Sequence, residues 1–177
     1  MTSEAVTLAG IRVPEGRIRI RPHGCFACGT LNTHGLQLEL HAAADRCWTE
    51  LTLPERFAGW EDIAHGGIVT TILDEVMAWA LIEHDHWGLT ARIAVEFKKP
   101  VPIGRPIRGE GWIVEARRRA ITAADRLTDE DGTLLATSEA LYIGAPDARK
   151  EELKARYEFR IVPDGTDDAD DGAGERA

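Results

Sequence analysis

An apolar run at residues 68–82 carries two adjacent acidic residues at its middle, and it constrains the fold more than any other part of the sequence. Its large apolar side chains recur at spacings of four and three, as in Ile68, Ile72, Val76 and Trp79. This is the period of an α-helix, and a helix that is apolar on nearly all sides must be surrounded by other elements. The run is shorter than the roughly 20 residues that a bilayer crossing needs. We therefore predict a buried helix from about residue 66 to residue 83, with Asp74 and Glu75 at its centre.

Alternating apolar and polar residues flank this helix on both sides. Before it, residues 36–40 and 47–53 predict a hairpin with one buried face, and residues 17–21 predict an edge or covering strand. After it, the pattern predicts four strands, at residues 90–98, 107–117, 120–128 and 133–143. Because short connections join these four strands, they are expected to be antiparallel neighbours.

These elements predict an α+β fold, in which a long antiparallel sheet curls around one central helix. A chain of 177 residues is long enough for one domain and too short for two. We place this domain at residues 25–145, after an irregular or covering segment at 1–24 and before a helix-prone extension at 146–162. Residues 163–177 combine clustered acids with glycine and alanine, which predicts a disordered tail.

The composition indicates which kinds of partner and which cell compartment to expect. An apolar fraction of 44% with 29% charged residues is typical of a soluble globular protein. The formal charge of −9 argues against nucleic acid as a partner, because phosphate binding needs a basic surface. No cationic segment followed by an apolar run opens the chain, so we expect a cytoplasmic protein without a membrane partner.

The three cysteines, Cys25, Cys28 and Cys47, do not form a paired disulfide framework. Cys25 and Cys28 have the spacing of a zinc-ligand couple, and three histidines lie nearby in sequence, namely His23, His34 and His41. A structural zinc site usually needs a second well-spaced couple, which the sequence lacks. We therefore expect reduced thiols packed in a turn, and no metal.

His65, Gly66 and Gly67 open the predicted helix. Two glycines at a helix start leave backbone N–H groups unshielded, and these can hold an oxyanion or a polarised carbonyl. Close packing would explain the glycines equally well. The turn is thus a candidate oxyanion hole that needs a second observation.

Asp74 is that second observation, because a carboxylate inside an apolar helix is costly unless it is paired or used in chemistry. The alternative is that Asp74 or Glu75 forms a salt bridge or faces solvent. Adjacent helical positions diverge by about 100°, so both acids cannot occupy one small site. We favour Asp74, because it shares a face with small residues, namely Thr70, Thr71 and Ala78. Glu75 then has a supporting role.

The spacing of Gly66 and Asp74 has a consequence for assembly. Eight residues separate them, which is roughly 12 Å along a helix axis. One chain cannot bring both groups to the same carbon atom. If both act on one substrate, two antiparallel helices must meet across a two-fold axis. The spacing therefore predicts a homodimer with two composite sites.

The string from Phe57 to Glu75, followed by Thr90 and by Phe97-Lys-Lys-Pro-Val-Pro-Ile-Gly104, resembles a known family. It is similar to the hotdog-fold thioesterases of the phenylacetate-degradation and human thioesterase-superfamily-member type. The opening Cys25-Phe-Ala-Cys-Gly-Thr-Leu-Asn-Thr-His-Gly-Leu36 resembles bacterial members. The resemblance covers residues 25–143. It implies a hotdog fold and a hydrolase acting on acyl- or aryl-CoA, working as a homodimer or a homotetramer. No separate cofactor is implied, because coenzyme A is part of the substrate.

The resemblance also implies roles for individual residues. Asp74 is the nucleophile or the general base, and the Gly66 N–H polarises the thioester. His65 orients the turn and contacts the thioester, and Thr90 helps to position the attacking water. Some relatives have Asn or Gln six residues before the histidine, whereas this chain has Gly59. The partner that orients the water is therefore open.

Substrate contacts are also expected from Gly67, Thr71 and Glu75, and three basic residues are candidates to meet the phosphates of coenzyme A, namely Arg92, Lys98 and Lys99. Their alternative role is that of ordinary solvated residues at a strand edge. Five large apolar residues either line an acyl pocket or belong to the core or a dimer interface, namely Trp60, Met77, Trp79, Trp87 and Phe97. Two other functions stay open, a hotdog enoyl-CoA hydratase or dehydratase and a non-catalytic acyl-CoA-binding module.

Overall fold

The computed structural model describes residues 15–43 and 45–163. The first 14 residues and most of the predicted acidic tail lie outside the described residues. The described elements run in chain order as β1 Gly16–Arg19, β2 His41–Ala43, β3 Arg46–Thr52, β4 Ala58–Trp60, β5 Ile63–Ala64, α1 Gly66–Glu83, β6 Gly88–Phe97, β7 Pro106–Arg117, β8 Ala120–Asp129, β9 Leu134–Gly144, α2 Asp147–Tyr157 and β10 Arg160–Val162. A turn of 3-10 helix, Glu55–Phe57, leads into β4.

Eight of these strands form one antiparallel sheet in the order β10-β1-β2-β3-β7-β8-β9-β6. Helix α1 contacts β3, β6, β7, β8 and β9, and it lies closest to β7 at the middle of the sheet. Strands β4 and β5 form a small separate sheet just before α1. The predicted α+β fold, with an antiparallel sheet around one central helix, is confirmed.

Helix α1 spans the predicted residues and is buried along most of its length. Its fully buried residues form two rows against the sheet, namely Val69, Ile72, Leu73, Val76, Met77, Ala80 and Leu81. Strand β7 approaches so closely that a Cβ atom on Gly111 would lie 2.8 Å from the backbone of Val76 and Met77. Only glycine permits this contact, which fixes the helix against the centre of the sheet.

The strand order corrects one expectation. Strand β6 pairs with β9, the last of the four strands that follow the helix, and not with its sequence neighbour β7. Residues 98–105 cross the end of the sheet instead of forming a hairpin. Along this path the Lys98 N–H bonds to Leu135 O, and Gly104 N–H bonds to Leu53 O. Strand β6 is therefore the outer strand of the sheet, and most of its residues are exposed.

Residues 36–40 do not form the predicted strand, so the first hairpin is shorter than expected and consists of β2 and β3. The segment is extended, and Leu38 and Leu40 are buried as the alternation indicated. Its backbone, however, bonds to the turn that precedes it. Leu36 N–H and Leu38 N–H donate to the carbonyls of Phe26 and Ala27. The turn around Cys25 thus takes the place of a partner strand.

After β9 the chain forms α2, which has no buried residue. Strand β10 follows it, which the sequence pattern did not predict, and it pairs with β1. These two strands lie before and after residues 25–145 and join the main sheet through β2. Within the described part of the chain, neither helix combines the length and the apolar character that a bilayer crossing requires.

Candidate active site

The first turn of α1 leaves one backbone amide open. The Nδ1 atom of His65 accepts the Gly67 N–H over 2.9 Å and caps the helix. The carbonyl of His65 accepts the N–H groups of Ile68 and Val69. For the Gly66 N–H, residues 15–43 and 45–163 supply no hydrogen-bond acceptor. Of the two glycine amides that the sequence proposed, Gly66 is therefore the one free to bind a ligand.

The capping bond also fixes the tautomer of His65. Because its Nδ1 accepts from an amide, the ring N–H is at Nε2. The residue is exposed, so this second N–H is accessible to a ligand at the same turn. His65 thus caps the turn that opens α1.

A cavity of about 380 Å³ opens beside Gly66. Its lining is mainly apolar, with two lysines at one side, and consists of Ile63, Ala64, Gly66, Val69, Phe97, Lys98, Lys99, Pro100 and Val101. Lys98 forms an ion pair with Glu96. For Lys99 the described part of the chain offers no ion-pair partner. The cavity therefore brings together an open amide, an apolar wall and one uncommitted cation.

Asp74 lies on the half-exposed side of α1, two turns further along the helix. Its Oδ1 atom accepts the hydroxyl of Thr90 from β6 over 2.8 Å and the hydroxyl of Tyr142 from β9 over 2.8 Å. The Tyr142 hydroxyl also lies 3.0 Å from the Asp74 carbonyl oxygen. Two donors thus hold one carboxylate oxygen, and the described residues give no hydrogen bond to Oδ2. The structure brings Asp74 and Thr90, two of the sequence candidates, into contact.

Residues 61–136 match the sequence profile of the thioesterase superfamily. The matched residues make up less than half of the chain, and the described residues have the hotdog fold. The match includes α1, β6, β7 and β8, and so it contains His65, Gly66, Asp74 and Thr90. No curated protein sequence matches the chain.

Solved structures share the hotdog fold. A thioesterase superfamily protein matches with a TM-score of 0.65 and 24% identity, over 68% of this chain and 60% of the other. This chain therefore spans less than two thirds of that protein. Zebra fish thioesterase superfamily member 2 matches with a TM-score of 0.58 and 20% identity, over 64% of this chain and 89% of the other. A hypothetical thioesterase from Streptococcus pneumoniae, solved with coenzyme A, matches with a TM-score of 0.55 and 15% identity, over 57% and 82%. Two further structures of the Streptococcus pneumoniae protein carry alanine at an aspartate and at a threonine sixteen residues apart. At these identities the likeness concerns the fold.

Two residues of the hotdog core near Asp74 were not among the sequence candidates. Tyr142 is buried, and burial, followed by the charge of Asp74, raises its pKa above the ordinary value. The hydroxyl therefore keeps its proton and remains a donor. Asp125 on β8 is also buried and accepts the N–H of Ser138 over 2.6 Å as well as its hydroxyl. Burial raises the pKa of Asp125 to about 7, and the Asp74 charge adds to the shift.

A signal for Asp125 was present in the strand pattern. Asp125 shares the buried face of β8 with Ile121, Ala123 and Leu127, which are the residues at even spacing from it. An acid at a position where the alternation calls for an apolar residue is a candidate for chemistry. Tyr142 occupies the buried face of β9 in the same way.

Glu75 points away from Asp74, which corrects its assignment as a substrate contact. Its Oε1 atom accepts the Trp79 indole N–H over 2.9 Å, and its carboxylate contacts the Cys28 thiol. Burial raises the pKa of Glu75 to about 7. The Thr71 hydroxyl donates to the Gly67 carbonyl, and the Thr70 hydroxyl donates to the Gly66 carbonyl, over 2.9 Å each. Both threonines therefore bond to the helix itself.

The remaining candidates divide between the site and the core. Arg92 is exposed on β6 and does not line the cavity that contains Lys98 and Lys99. Met77, Trp79 and Trp87 are buried core residues. Phe97 lines the cavity, and Trp60 is 81% exposed on β4. Of these five large apolar residues, Phe97 and Trp60 are thus the two that a ligand or a partner subunit can reach.

The structure explains why position 59 carries no amide side chain. A Cβ atom on Gly59 would lie 2.9 Å from the Cα atom of His65. The loop before the helix therefore packs directly against the capping histidine, and an Asn or Gln at this position would displace it. A water near Asp74 must find its second partner elsewhere, and the neighbouring hydroxyls are those of Thr90 and Tyr142, each 2.8 Å from Asp74 Oδ1.

Proposed function

We propose that this protein is an acyl-CoA thioesterase, which hydrolyses the thioester of an acyl- or aryl-CoA to the free acid and coenzyme A. The observation that carries the proposal is the pair of complementary groups on α1. At its start, the Gly66 N–H has no acceptor among the described residues. Further along, the Asp74 carboxylate is held by Thr90 and Tyr142 with one oxygen left over. The first polarises a carbonyl and the second delivers an oxygen nucleophile.

In this mechanism the thioester carbonyl accepts the Gly66 N–H at the positive end of the helix dipole. The negative charge that develops on the carbonyl oxygen is then stabilised. In one route Asp74 attacks the carbon, the C–S bond breaks, coenzyme A leaves as the thiolate, and water then hydrolyses the anhydride that has formed. In the other route Asp74 takes a proton from a water that attacks the carbon, and the C–S bond breaks with the same thiolate as leaving group. The bonds to Thr90 and Tyr142 on Oδ1 leave Oδ2 for either role. The Thr90 hydroxyl donates to Asp74, so its oxygen lone pairs can accept a proton of the same water.

Two subunits are needed to assemble this site. Gly66 and Asp74 are separated by roughly 12 Å along α1, so one chain does not bring both to one substrate. Strand β6 is the outer strand of the sheet, with an unpaired edge ten residues long. Exposed apolar side chains lie at both of its ends, Leu89 and Phe97. Such an edge is protected in natural proteins by pairing or covering. We propose a homodimer in which the two copies of β6 and α1 lie antiparallel across a two-fold axis.

The cavity beside Gly66 suits the thioester end of such a substrate. Its apolar wall, which includes Val69 and Phe97, accepts an acyl group, and Lys99 offers a charge to a phosphate of coenzyme A. The solved Streptococcus pneumoniae thioesterase is described with coenzyme A. Its altered aspartate and threonine have the same sixteen-residue separation as Asp74 and Thr90. Both facts support the proposal.

A panel of acyl- and aryl-CoA substrates, with release of free thiol as the readout, tests it. The wild-type protein is expected to hydrolyse at least one of them. Asp74→Asn, which keeps the shape and the hydroxyl contacts, is expected to lose roughly 100- to 10,000-fold in kcat. Retained hydrolysis in this variant would overturn the role of Asp74. Hydration of an enoyl-CoA without thiol release would overturn the thioesterase assignment.

A further inference from the structure

A second cluster of reactive side chains lies on the Glu75 side of α1, away from Asp74. It consists of His23, Cys25 and Cys28, and we call it the His-Cys-Cys cluster. One potential ligand atom from each residue lies within 4.8 Å of the others. The Cys28 sulfur is 3.4 Å from His23 Nε2. Cys28 is buried and the other two are half-buried. Nothing in acyl-CoA hydrolysis uses these groups.

The imidazole of His23 is oriented as a ligand. Its Nδ1 atom lies 3.0 Å from the Arg21 carbonyl oxygen. A carbonyl only accepts, so Nδ1 carries the proton and the lone pair resides on Nε2, which faces the Cys28 sulfur. Histidines that bind metals are held in this way, with the second ring nitrogen donating to a carbonyl or carboxylate. The ring also packs edge-on against Tyr157 of α2, with centroids 5.4 Å apart.

The two sulfurs occupy one tight turn. The backbone N–H groups of Ala27 and Cys28 point at the Cys25 sulfur, and the side chains of Cys25 and Cys28 are in hydrogen-bond contact. The Gly29 N–H closes the turn by donating to the Cys25 carbonyl over 3.0 Å. The turn thus holds both thiols on the same side as His23.

Glu75 adds a negative charge from the helix. Its carboxylate contacts Cys28 and is fixed by the Trp79 indole. The sequence alone shows no second pair of zinc ligands. In the folded chain, His23 and Glu75 provide further ligand atoms beside the cysteines. His23 precedes Cys25 by two residues, and Glu75 contacts Cys28 from α1. A carboxylate in this position can contact a cation held by the two thiols.

We propose that the His-Cys-Cys cluster binds one zinc ion, through His23 Nε2 and the sulfurs of Cys25 and Cys28. Sulfur and imidazole donors favour zinc among the common divalent ions, and zinc accepts four tetrahedral ligands. The Glu75 carboxylate or a water completes the set. The ion ties the turn at residues 23–28 to α1 and so stabilises the fold. The proposal goes beyond thioester hydrolysis and does not depend on it.

The test uses the full chain, purified without a histidine tag in reducing buffer and analysed for metal by mass spectrometry. One zinc per chain is expected to remain after dialysis. The zinc is then removed with a chelator and replaced by Co²⁺. Cobalt bound by thiolates gives a near-ultraviolet charge-transfer band, which reports sulfur ligation directly. Chelation is expected to lower the melting temperature, and zinc is expected to restore it.

Three variants distinguish a specific loss of zinc binding from a general effect on folding. Cys25→Ser and His23→Ala are expected to weaken zinc binding at least about 100-fold. Cys47→Ala removes a buried thiol outside the cluster, and it is expected to bind zinc as the wild type does. Absence of zinc and cobalt binding by the wild type at micromolar free ion would overturn the proposal. So would Cys25→Ser binding zinc as tightly as the wild type, or a Cys25–Cys28 disulfide in the reduced preparation. The wild-type measurements decide the matter even where a variant does not fold.

Discussion

The Thr90 hydroxyl donates to Asp74 Oδ1 over 2.8 Å, and this bond joins the outer strand of the sheet to the middle of the buried helix. It orients the carboxylate that we propose as the catalytic group. A hydrogen bond to a charged group contributes about 1.5–3 kcal/mol. That is roughly 10- to 100-fold in rate if the whole effect is felt in the transition state. The bond therefore offers a measurable contribution to catalysis.

Thr90→Val is expected to lower kcat by roughly 10- to 100-fold, because valine has nearly the shape of threonine and lacks the hydroxyl. Thr90→Ser keeps the hydroxyl and is expected to lose much less. Steady-state kinetics with the best substrate of the panel compares the two. Equal activity of both variants would show that the hydroxyl does not assist Asp74.

Tyr142→Phe removes the other donor to Asp74 Oδ1. The ring stays in place, so the expected loss of unfolding free energy is only about 1 kcal/mol, measured by urea unfolding. The loss in kcat is expected to be comparable to that of Thr90→Val. Because both hydroxyls act on one oxygen, the double variant is expected to deviate from additivity. Strict additivity of the two losses would argue that the donors act independently.

The Gly66 N–H is tested by proline. Gly66 is the first residue of α1, where proline is tolerated, and His65 has the extended conformation that a following proline requires. Gly66→Pro therefore removes the amide proton and little else, and kcat is expected to fall by roughly 100- to 1,000-fold. In Gly66→Ala the added Cβ lies at an ordinary 3.4 Å from Phe97. This control keeps the amide and is expected to lose far less.

The composite site is tested by mixing two inactive variants. A chain with Asp74→Asn and a chain with Gly66→Pro are each expected to be inactive as homodimers. If a site takes Gly66 from one subunit and Asp74 from the other, each mixed dimer has one intact site. Random exchange is then expected to restore about a quarter of wild-type activity. Mixtures that stay inactive after verified subunit exchange would place both groups of a site in one chain.

Lys99 is expected to act on the nucleotide and not on the chemistry. Lys99→Ala should raise KM for acyl-CoA several-fold and leave kcat nearly constant, and the effect should shrink in high salt. The matching acyl thioester of N-acetylcysteamine has no nucleotide and serves as the control. Its KM is expected to be the same in both proteins. An equal rise of KM for both thioesters would mean that Lys99 shapes the cavity instead.

Asp125 predicts a pH dependence of stability. Burial raises its pKa to about 7 from an ordinary value of 3.8. Between about pH 4 and pH 7 the folded protein holds a proton that the unfolded chain has released, so raising the pH lowers the unfolding free energy. The slope is on the order of 1 kcal/mol per pH unit. Asp125→Asn is expected to lose this contribution, as urea unfolding at several pH values will show. The pKa of Glu75 is also raised to about 7. Its contribution to the pH dependence is the same in the wild type and in Asp125→Asn, so it cancels when the two unfolding free energies are subtracted. Parallel pH profiles of the two proteins would contradict the assignment.

The sequence predicted those features that depend on local periodicity. Helix α1 has the predicted bounds, and the strands after it lie within a few residues of their predicted positions. The pairing of β6 with β9 was not predictable, because it depends on the path of residues 98–105 across the sheet. Residues 36–40 show a related limit. Their alternation gave the buried face correctly, but the N–H groups of Leu36 and Leu38 bond to a turn and not to a strand.

At the candidate site, the sequence proposed the residues whose types are unusual for their position. Asp74 in an apolar helix and the glycines after His65 are of this kind. Tyr142 looked like an ordinary apolar residue of β9, and its role depends on a neighbour 68 positions away. The direction of Glu75 was equally hidden, because only the folded turn brings Cys28 beside it.

Strand β6 contacts both parts of the candidate site. Thr90 near its start bonds to Asp74, and Phe97 at its end lies beside Gly66. The number of residues between Thr90 and Phe97 therefore sets the distance between the Asp74 end and the Gly66 end of the candidate site. An insertion or deletion between them would shift Asp74 relative to the cavity beside Gly66. Ile63 and Val101 line this cavity and do not belong to β6, so substitutions there can change its shape and leave the spacing of Thr90 and Phe97 intact.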